Sequence, residues 1–299
     1  RNALLVKCTG TDSSIGADQF SAITHKVEAQ SCQGLQYGTS NAKNLTLSFF
    51  VKSNITGTHN IALRKEDSTA YYLPKEYTIS SADTWEKKTI TFGSDDTNFN
   101  LIQASGGNIV NDNGTGVFLH WGLANGSNLQ GTANTWTSSV FVGTSNQQNF
   151  LSSTSNEFYL TGVQLEVGDT ASDFEHLPYD VQLQRCQRYY ENAFDTGYYP
   201  AADVNYGNMA NTFQATCYAL DNLRMMIPFK TRKRGIPAVV TYRVDGLGNG
   251  SGDSGRWDMF DGTWQQMDGT TSTGEASEYG VDLNFTDTAF EIHESFLVA

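Results

Sequence analysis

Carboxylate pairs are the side chains of this sequence that could most directly perform acid–base chemistry. A glycosidase needs two carboxyl groups on opposite sides of its substrate, and neighbouring acids in the chain are the first candidates. These are Asp95-Asp96, Glu66-Asp67, and Glu166 with Asp169. The chain has 32 acidic against 19 basic residues, so exposed acidic pairs are expected without any catalytic role. We assign no catalytic carboxylate.

A serine is the second candidate for catalysis. Residues 252–255 (Gly-Asp-Ser-Gly) resemble the nucleophile segment of chymotrypsin-like proteases, where small residues let the backbone form an oxyanion hole around the serine. That family has a further glycine where this chain has Arg256, and no histidine here lies in the family's histidine context. We therefore predict that the chain is not an enzyme and has no catalytic residues.

Glu166 and Asp169 are candidate metal ligands as well. Many jelly-roll sandwiches hold a structural Ca²⁺ near their chain ends with carboxylate and backbone oxygens, and these two acids end the last strand pattern of the first domain. No spacing in the chain is that of an EF-hand loop. The alternative is a solvated strand end, and we expect no other cofactor.

Tryptophan rings could stack on the apolar faces of sugars. Trp121 alternates with Val117, Leu119 and Leu123, which predicts a core position. Trp136 lies in a polar loop and is the freer candidate for a glycan-binding platform. Trp85 is the second candidate.

The charge of the chain limits its partners. The formal net charge is −13, which disfavours binding to phosphate backbones and to anionic membranes. No run of about 18 apolar residues is present, so no membrane insertion is expected. Charged residues make up only 17% of the chain, and much of its polarity comes from Asn, Ser, Thr, Gln and Gly, which favour turns and strand faces.

Short alternating segments separated by turn residues predict β-strands in residues 1–178. Leu45, Leu47, Phe49 and Val51 share one face of such a strand, and the pattern recurs along the segment. About eight strands at this spacing predict an antiparallel β-sandwich.

A helix interrupts the β pattern at residues 179–197, which we expect to link two domains. Asp180 is a good N-cap, and Val181 to Phe194 has helical spacing. Leu183, Cys186 and Tyr190 form an apolar stripe, with Tyr189 beside it. The alternatives are that this surface packs within one subunit or against a second copy of the chain.

The remaining residues, 198–299, predict a second, smaller β-domain. Trp257 and Trp264 flank an Asp-Gly turn, which predicts a hairpin in which the two rings form a cross-strand pair. Strand patterns run to both ends of the sequence, so we expect it to be part of a longer protein.

Four stretches together resemble a module of phage tail-fibre and other virion structural proteins. They are residues 45–54 (LTLSFFVKSN) followed by Gly57, residues 77–92 (YTISSADTWEKKTITF), residues 158–190 (beginning FYLTGVQLEV), and residues 226–241 (MIPFKTRKRGIPAVVT). In that module a jelly-roll sandwich similar to carbohydrate-binding modules precedes a short helix and a second β-domain. The fold expected here is therefore all-β, with a jelly roll, a helix and a smaller β-sandwich.

The resemblance implies a structural or attachment part of a bacteriophage virion, exposed on the particle surface. It also implies homotrimers, contacts with other virion proteins and binding to host surface glycans. Leu183, Cys186, Tyr189 and Tyr190 are the candidate oligomer interface. The rival hypothesis is a carbohydrate-binding module of a polysaccharide-degrading enzyme whose catalytic part lies outside this sequence.

We predict that all four cysteines, Cys8, Cys32, Cys186 and Cys217, are free thiols. None is paired in a CxxC spacing, and a chain of this length can build a sufficient core without disulfides. Maleimide labelling under denaturing, non-reducing conditions counts the thiols. Fewer than four labelled sites would contradict the prediction.

Overall fold

The computed structural model describes residues 2–191, 216–219, 222–239, 257–260, 264–267, 270–286 and 297–298. The chain forms two compact units, residues 1–176 and 177–299. Strands dominate both units among the described residues, which confirms the predicted all-β fold class.

Eight strands of the first unit form two antiparallel sheets. They are β1 (Leu4–Lys7), β2 (Phe20–Glu28), β3 (Leu45–Ser53), β4 (Gly57–Lys65), β5 (Tyr71–Ile79), β6 (Glu86–Phe92), β7 (Thr115–Asn125) and β8 (Glu157–Val167). Sheet A has the order β1-β8-β3-β6, and sheet B has the order β2-β7-β4-β5. Two antiparallel sheets confirm the predicted sandwich, and the jelly-roll topology stays a prediction.

Short helices connect some of these strands. They are α1 (Asn100–Gln103) and 3-10 helices at Ala29–Leu35, Ser105–Gly107, Ser127–Leu129 and Phe150–Ser152. Ala29–Leu35 follows β2 and buries Cys32 and Leu35 against the sandwich core, so this connection is part of the packed structure.

Phe49 joins the two sheets. Its fully buried ring meets Tyr77 of β5 edge-on at 5.3 Å and Trp121 of β7 at 5.9 Å between ring centroids. Phe49 belongs to sheet A and its two partners belong to sheet B, so these contacts hold the sandwich together. Edge-to-face pairs of this kind add to the stabilisation from apolar burial. The predicted core position of Trp121 is confirmed, and Phe49 shares a buried face of β3 with Leu45, Leu47 and Val51 as predicted.

A bulge in β8 changes which of its residues face the core. Phe158 and Leu160 are buried before the bulge, and Leu165 packs against the core after it. The register with β3 shifts between these points, and Gly162 has a φ of +59°. A Cβ at Gly162 would lie 3.0 Å from the Phe50 ring, so both the backbone and the space favour glycine.

The loop between β7 and β8 covers sheet B. The backbone of Thr137 exchanges hydrogen bonds with Tyr72 on the edge strand β5. Val142 packs on Ala62 and Tyr72 on the outer face of the sheet. An unpaired strand edge is a liability for aggregation, and here the chain's own loop protects part of it.

Buried polar groups fasten the same loop to sheet B. Gln147 of the loop accepts a hydrogen bond from Asn125 Nδ2 at 2.8 Å and donates one to the Asn125 carbonyl at 2.7 Å. It also accepts one from Asn60, whose Oδ1 accepts the backbone N–H of Thr144. His120 hydrogen-bonds to Asn125 Oδ1, and burial lowers the pKa of this imidazole to about 4. The cluster therefore contains a neutral histidine at pH 7.

A buried lysine ends β4. The side chain of Lys65 is fully buried, and its ammonium donates hydrogen bonds to the backbone carbonyls of Asp67, Thr69 and Gly106 at 2.6–3.0 Å. Burial lowers the pKa of Lys65 to about 8, so the group remains mostly charged at neutral pH. The three carbonyls come from two loops, which this one cation holds together.

The second unit contains two further sheets. Its described strands are β9 (Thr216–Ala219), β10 (Asn222–Pro228), β11 (Trp257–Phe260), β12 (Trp264–Met267), β13 (Thr270–Ala276), β14 (Gly280–Thr286) and β15 (Leu297–Val298). The sheet orders are β13-β14-β10-β9 and β12-β11-β15. Strands β11 and β12 pair as predicted, but Trp257 lies opposite Met267 and Trp264 opposite Phe260. The predicted pairing of the two tryptophans is wrong, because the register offsets them.

Helix α2 (Tyr179–Gln187) also belongs to the second unit. It begins directly after Pro178, so Asp180 lies in the first turn, where its charge suits the helix dipole, and does not cap the helix. The predicted end at Phe194 is wrong, since Gln187 is the last helical residue.

No described helix is long and apolar enough to cross a membrane.

The described cysteines are free. Cys8 and Cys32 are buried and Cys186 is exposed. This agrees with the prediction of free thiols at these three positions, and the side chain of Cys217 lies outside the described residues.

We expect the first unit to lose stability as the pH falls from about 6.5 towards 4. In this pH window the imidazole of His120 binds a proton in the unfolded chain but not in the folded chain. Acid therefore favours unfolding. His120→Gln should reduce the loss of unfolding free energy at pH 4.5 by roughly 2 kcal/mol. Urea unfolding at pH 7 and pH 4.5 measures the difference, with the exposed His176→Gln as the control. An unchanged pH dependence in His120→Gln would show that the folded histidine is already protonated.

Candidate functional site

An exposed aromatic group lies on the outer face of sheet A. Lys52 of β3 lies opposite Tyr159 of β8, and both are on the face away from the core because side chains alternate along a strand. Trp85 immediately precedes β6, whose first residue, Glu86, lies opposite the core residue Val51. Because side chains alternate along the chain, the ring of Trp85 lies on the outer face with Lys52 and Tyr159. We call Trp85, Tyr159 and Lys52 the aromatic platform.

The platform has a defined geometry. The ring centroids of Trp85 and Tyr159 are 6.2 Å apart, with an angle of 68° between the ring planes. Lys52 Nζ lies 4.1 Å from the centroid of Tyr159 and 5.8 Å from that of Trp85. A cation this close to two rings is attracted by their negative faces. The indole of Trp85 is nevertheless 43% exposed and can accept a ligand.

Polar groups continue from the platform along sheet A. The hydroxyl of Tyr159 donates to Glu157 Oε2 at 2.7 Å, and Lys7 Nζ lies 2.7 Å from Glu157 Oε1. The hydrogen bond from Lys7, followed by that from Tyr159, lowers the pKa of Glu157. The surface therefore offers an aromatic face with fixed hydrogen-bond donors and acceptors beside it.

This combination suits the binding of sugars. A pyranose has an apolar face that stacks on a flat ring and equatorial hydroxyls that need donors and acceptors around it. The geometry of the platform therefore supports the binding of such a ligand.

The two tryptophans predicted as glycan platforms have different surroundings. Trp85 belongs to the platform described above. Trp136 is fully buried in the core of the first unit, and its backbone bonds to Thr97 and to the side chain of Asn98. The prediction that Trp136 is a sugar platform is wrong, because its polar loop folds inward.

The predicted calcium ligands bond to different protein groups. Asp169 accepts a hydrogen bond from Asn44, whereas Glu166 accepts two from Ser172. The described residues contain no cluster of three or more His, Cys, Asp or Glu side chains that could hold a metal ion. The structure therefore lends no support to a calcium site at these two acids.

The other acidic pairs are held by ion pairs or backbone groups. Asp96 is buried and lies 2.6 Å from Lys75 Nζ. Glu66 pairs with Arg64, and Asp67 accepts the backbone N–H of Val110. The glycine-rich segment around Ser254 lies outside the described residues.

The predicted interface residues all lie at the surface. Leu183, Cys186, Tyr189 and Tyr190 are exposed, and α2 buries none of its residues.

Comparison with known proteins identified no relative of this chain. No family model, curated protein or solved structure matches this chain.

Two members of the platform were not predicted from the sequence. Lys52 and Tyr159 lie 107 positions apart and become neighbours only through the pairing of β3 with β8. A weak signal was present, because Tyr159 alternates with the core residues Phe158 and Leu160 and so had to lie on the outer face.

Proposed function

We propose that this chain is a structural and attachment component of a bacteriophage virion, in a tail fibre or another appendage, and that its first unit binds host surface glycans. The aromatic platform is the observation that supports glycan binding. The virion role is supported by the sequence resemblance.

The platform explains how a glycan would be recognised. Stacking on Trp85 removes apolar surface from water on both partners, at about 25 cal/mol per Å². Lys52 presents three N–H donors next to the ring, and Glu157 presents carboxylate oxygens. Stacking supplies affinity, and the polar groups select the orientation of the hydroxyls.

The low affinity expected of one small platform fits an attachment protein. A single exposed ring with a few hydrogen bonds gives weak binding, which several copies on one particle would multiply. Homotrimers would place three platforms on one appendage. This is an advantage for holding a cell surface that displays many identical glycans.

The rival hypothesis is a carbohydrate-binding module of a polysaccharide-degrading enzyme. It uses the same platform, so glycan binding alone does not separate the two. An antibody against the chain, imaged on intact phage particles, distinguishes them. Labelling of an appendage supports the virion role, whereas co-purification with a hydrolase and no labelling of particles supports the rival.

Replacing Trp85 should abolish most glycan binding. We expect Trp85→Ala to weaken binding to the preferred ligand on a glycan array about tenfold, equivalent to about 1.4 kcal/mol. The matched control is Phe20→Ala, because Phe20 is another exposed aromatic residue, 59% exposed, on strand β2. Equal binding by wild type and Trp85→Ala, or no binding to any glycan, would contradict the proposal.

We expect homotrimers in solution, stabilised in part by α2. Light scattering on the 32.8 kDa chain measures the mass, and Tyr189→Ser should shift it towards the monomer because apolar contact is lost. Gln184→Ser, at an exposed position of α2 outside the predicted interface, is the control. A monomer at micromolar concentration, unchanged by Tyr189→Ser, would argue against this interface.

A further inference from the structure

One cation of the aromatic platform has no acidic partner. The Lys52 ammonium makes neither an ion pair nor a hydrogen bond with any described residue, whereas Lys7 on the same face pairs with Glu157. Buried polar side-chain atoms without a partner do occur in the first unit, for example the Tyr77 hydroxyl, but the Lys52 ammonium is not one of them. This ammonium is therefore open to solvent, and an anion can reach it.

Strand pairing places this ammonium beside the stacking surface. Lys52 lies opposite Tyr159 of β8, and on the other side the register of β3 with β6 sets Trp85 next to it. Its Nζ lies 4.1 Å from the ring centroid of Tyr159 and 5.8 Å from that of Trp85. Attraction to the two rings restricts the lysine side chain, so its charge stays close to any sugar that stacks on Trp85.

The acidic residues near the platform do not neutralise Lys52. Glu157 is already engaged by Lys7 Nζ at 2.7 Å and by the hydroxyl of Tyr159. The hydrogen bond to Glu157 is the main cause that raises the pKa of Tyr159, and the charge of Asp83 adds a smaller effect. Asp83 is therefore close enough to oppose the binding of an anion, but it makes no ion pair with Lys52.

A second lysine on the outer face offsets the charge of Asp83. Lys87 of β6 comes two residues after Trp85, lies opposite Phe50 and is exposed. It has no ion pair among the described residues either. Lys52 and Lys87 thus give the surface around Trp85 two cations without a contacting carboxylate.

The overall charge of −13 does not prevent an anion from binding here. Exposed charges are screened over about 8 Å at physiological ionic strength, so the groups that contact the ligand decide its binding. A sugar hydroxyl can accept a hydrogen bond from Lys52, but a sugar carboxylate both accepts the hydrogen bond and balances the charge.

We propose that the aromatic platform prefers sugars that carry a carboxylate, such as uronic or sialic acids, with the carboxylate on Lys52 and the sugar ring on Trp85. This inference rests on the proposed glycan binding by the same platform and adds the charge of the ligand. The acidic sugar supplies the counter-charge that the protein itself does not give to Lys52.

Fluorine NMR of the full chain labelled with 5-fluorotryptophan tests the preference. The chain has five tryptophans, and the Trp85 signal is identified by its loss in Trp85→Phe. The probes are glucuronic, galacturonic and N-acetylneuraminic acid as methyl glycosides, each compared with its own methyl ester, which is neutral. We expect at least one acid to shift the Trp85 signal in a saturable way and to bind about threefold more tightly than its ester, with the difference lost at high salt.

Replacing Lys52 assigns the preference to this cation. Lys52→Met keeps an unbranched side chain against the rings but removes the charge, so the acid should bind no better than its ester while ester binding is unchanged. Unchanged ester binding also shows that the surface is still folded. The matched control is Lys26→Met, because Lys26 of β2 lies 5.7 Å from the ring centroid of Phe118 on the other sheet. This variant should retain the preference for the acid.

The outcomes separate this inference from the proposed function. Equal binding of every acid and its ester, or a preference that survives in Lys52→Met, overturns the inference and leaves glycan binding by the platform standing. If neither the acids nor the esters shift the Trp85 signal and the array also shows no binding, both the inference and the proposed glycan binding are overturned.

Discussion

The alternation of side chains along β3 is the constraint on which both the core and the platform depend. Phe49 points between the sheets, and Lys52, three residues later, points outward beside Tyr159. A slip of one residue between β3 and β8 would exchange the two faces and expose the core residues of one strand. The bulge at Gly162 fixes this register, because it absorbs one residue and leaves Leu165 facing inward.

Strands with a continuous apolar face were predictable from the sequence. Strand β3 and β7 have such faces, and both were expected. Strand β2 was missed, because its core-facing side includes His25 between Ile23 and Val27, while Phe20 at its start is exposed. His25 lies opposite Leu119 on this face, yet it stays exposed because β2 is an edge strand of sheet B. Partial desolvation lowers the pKa of His25.

The candidate site was less predictable than the fold. Trp136 has polar neighbours in sequence, yet it is buried because Asn98 and Thr97 bond to its backbone from another loop. Trp85 was identified correctly as a candidate, but its partners depend on strand register.

The lysine that ends β4 has a consequence for how this unit responds to its surroundings. Carbonyl oxygens from neighbouring loops commonly converge on a calcium ion, which is lost when calcium is scarce or chelated. Here the positive charge among the carbonyls of Asp67, Thr69 and Gly106 is Lys65, which is attached to the chain. The contact between these two loops therefore contains its own cation, and its stability does not depend on the calcium concentration of the medium.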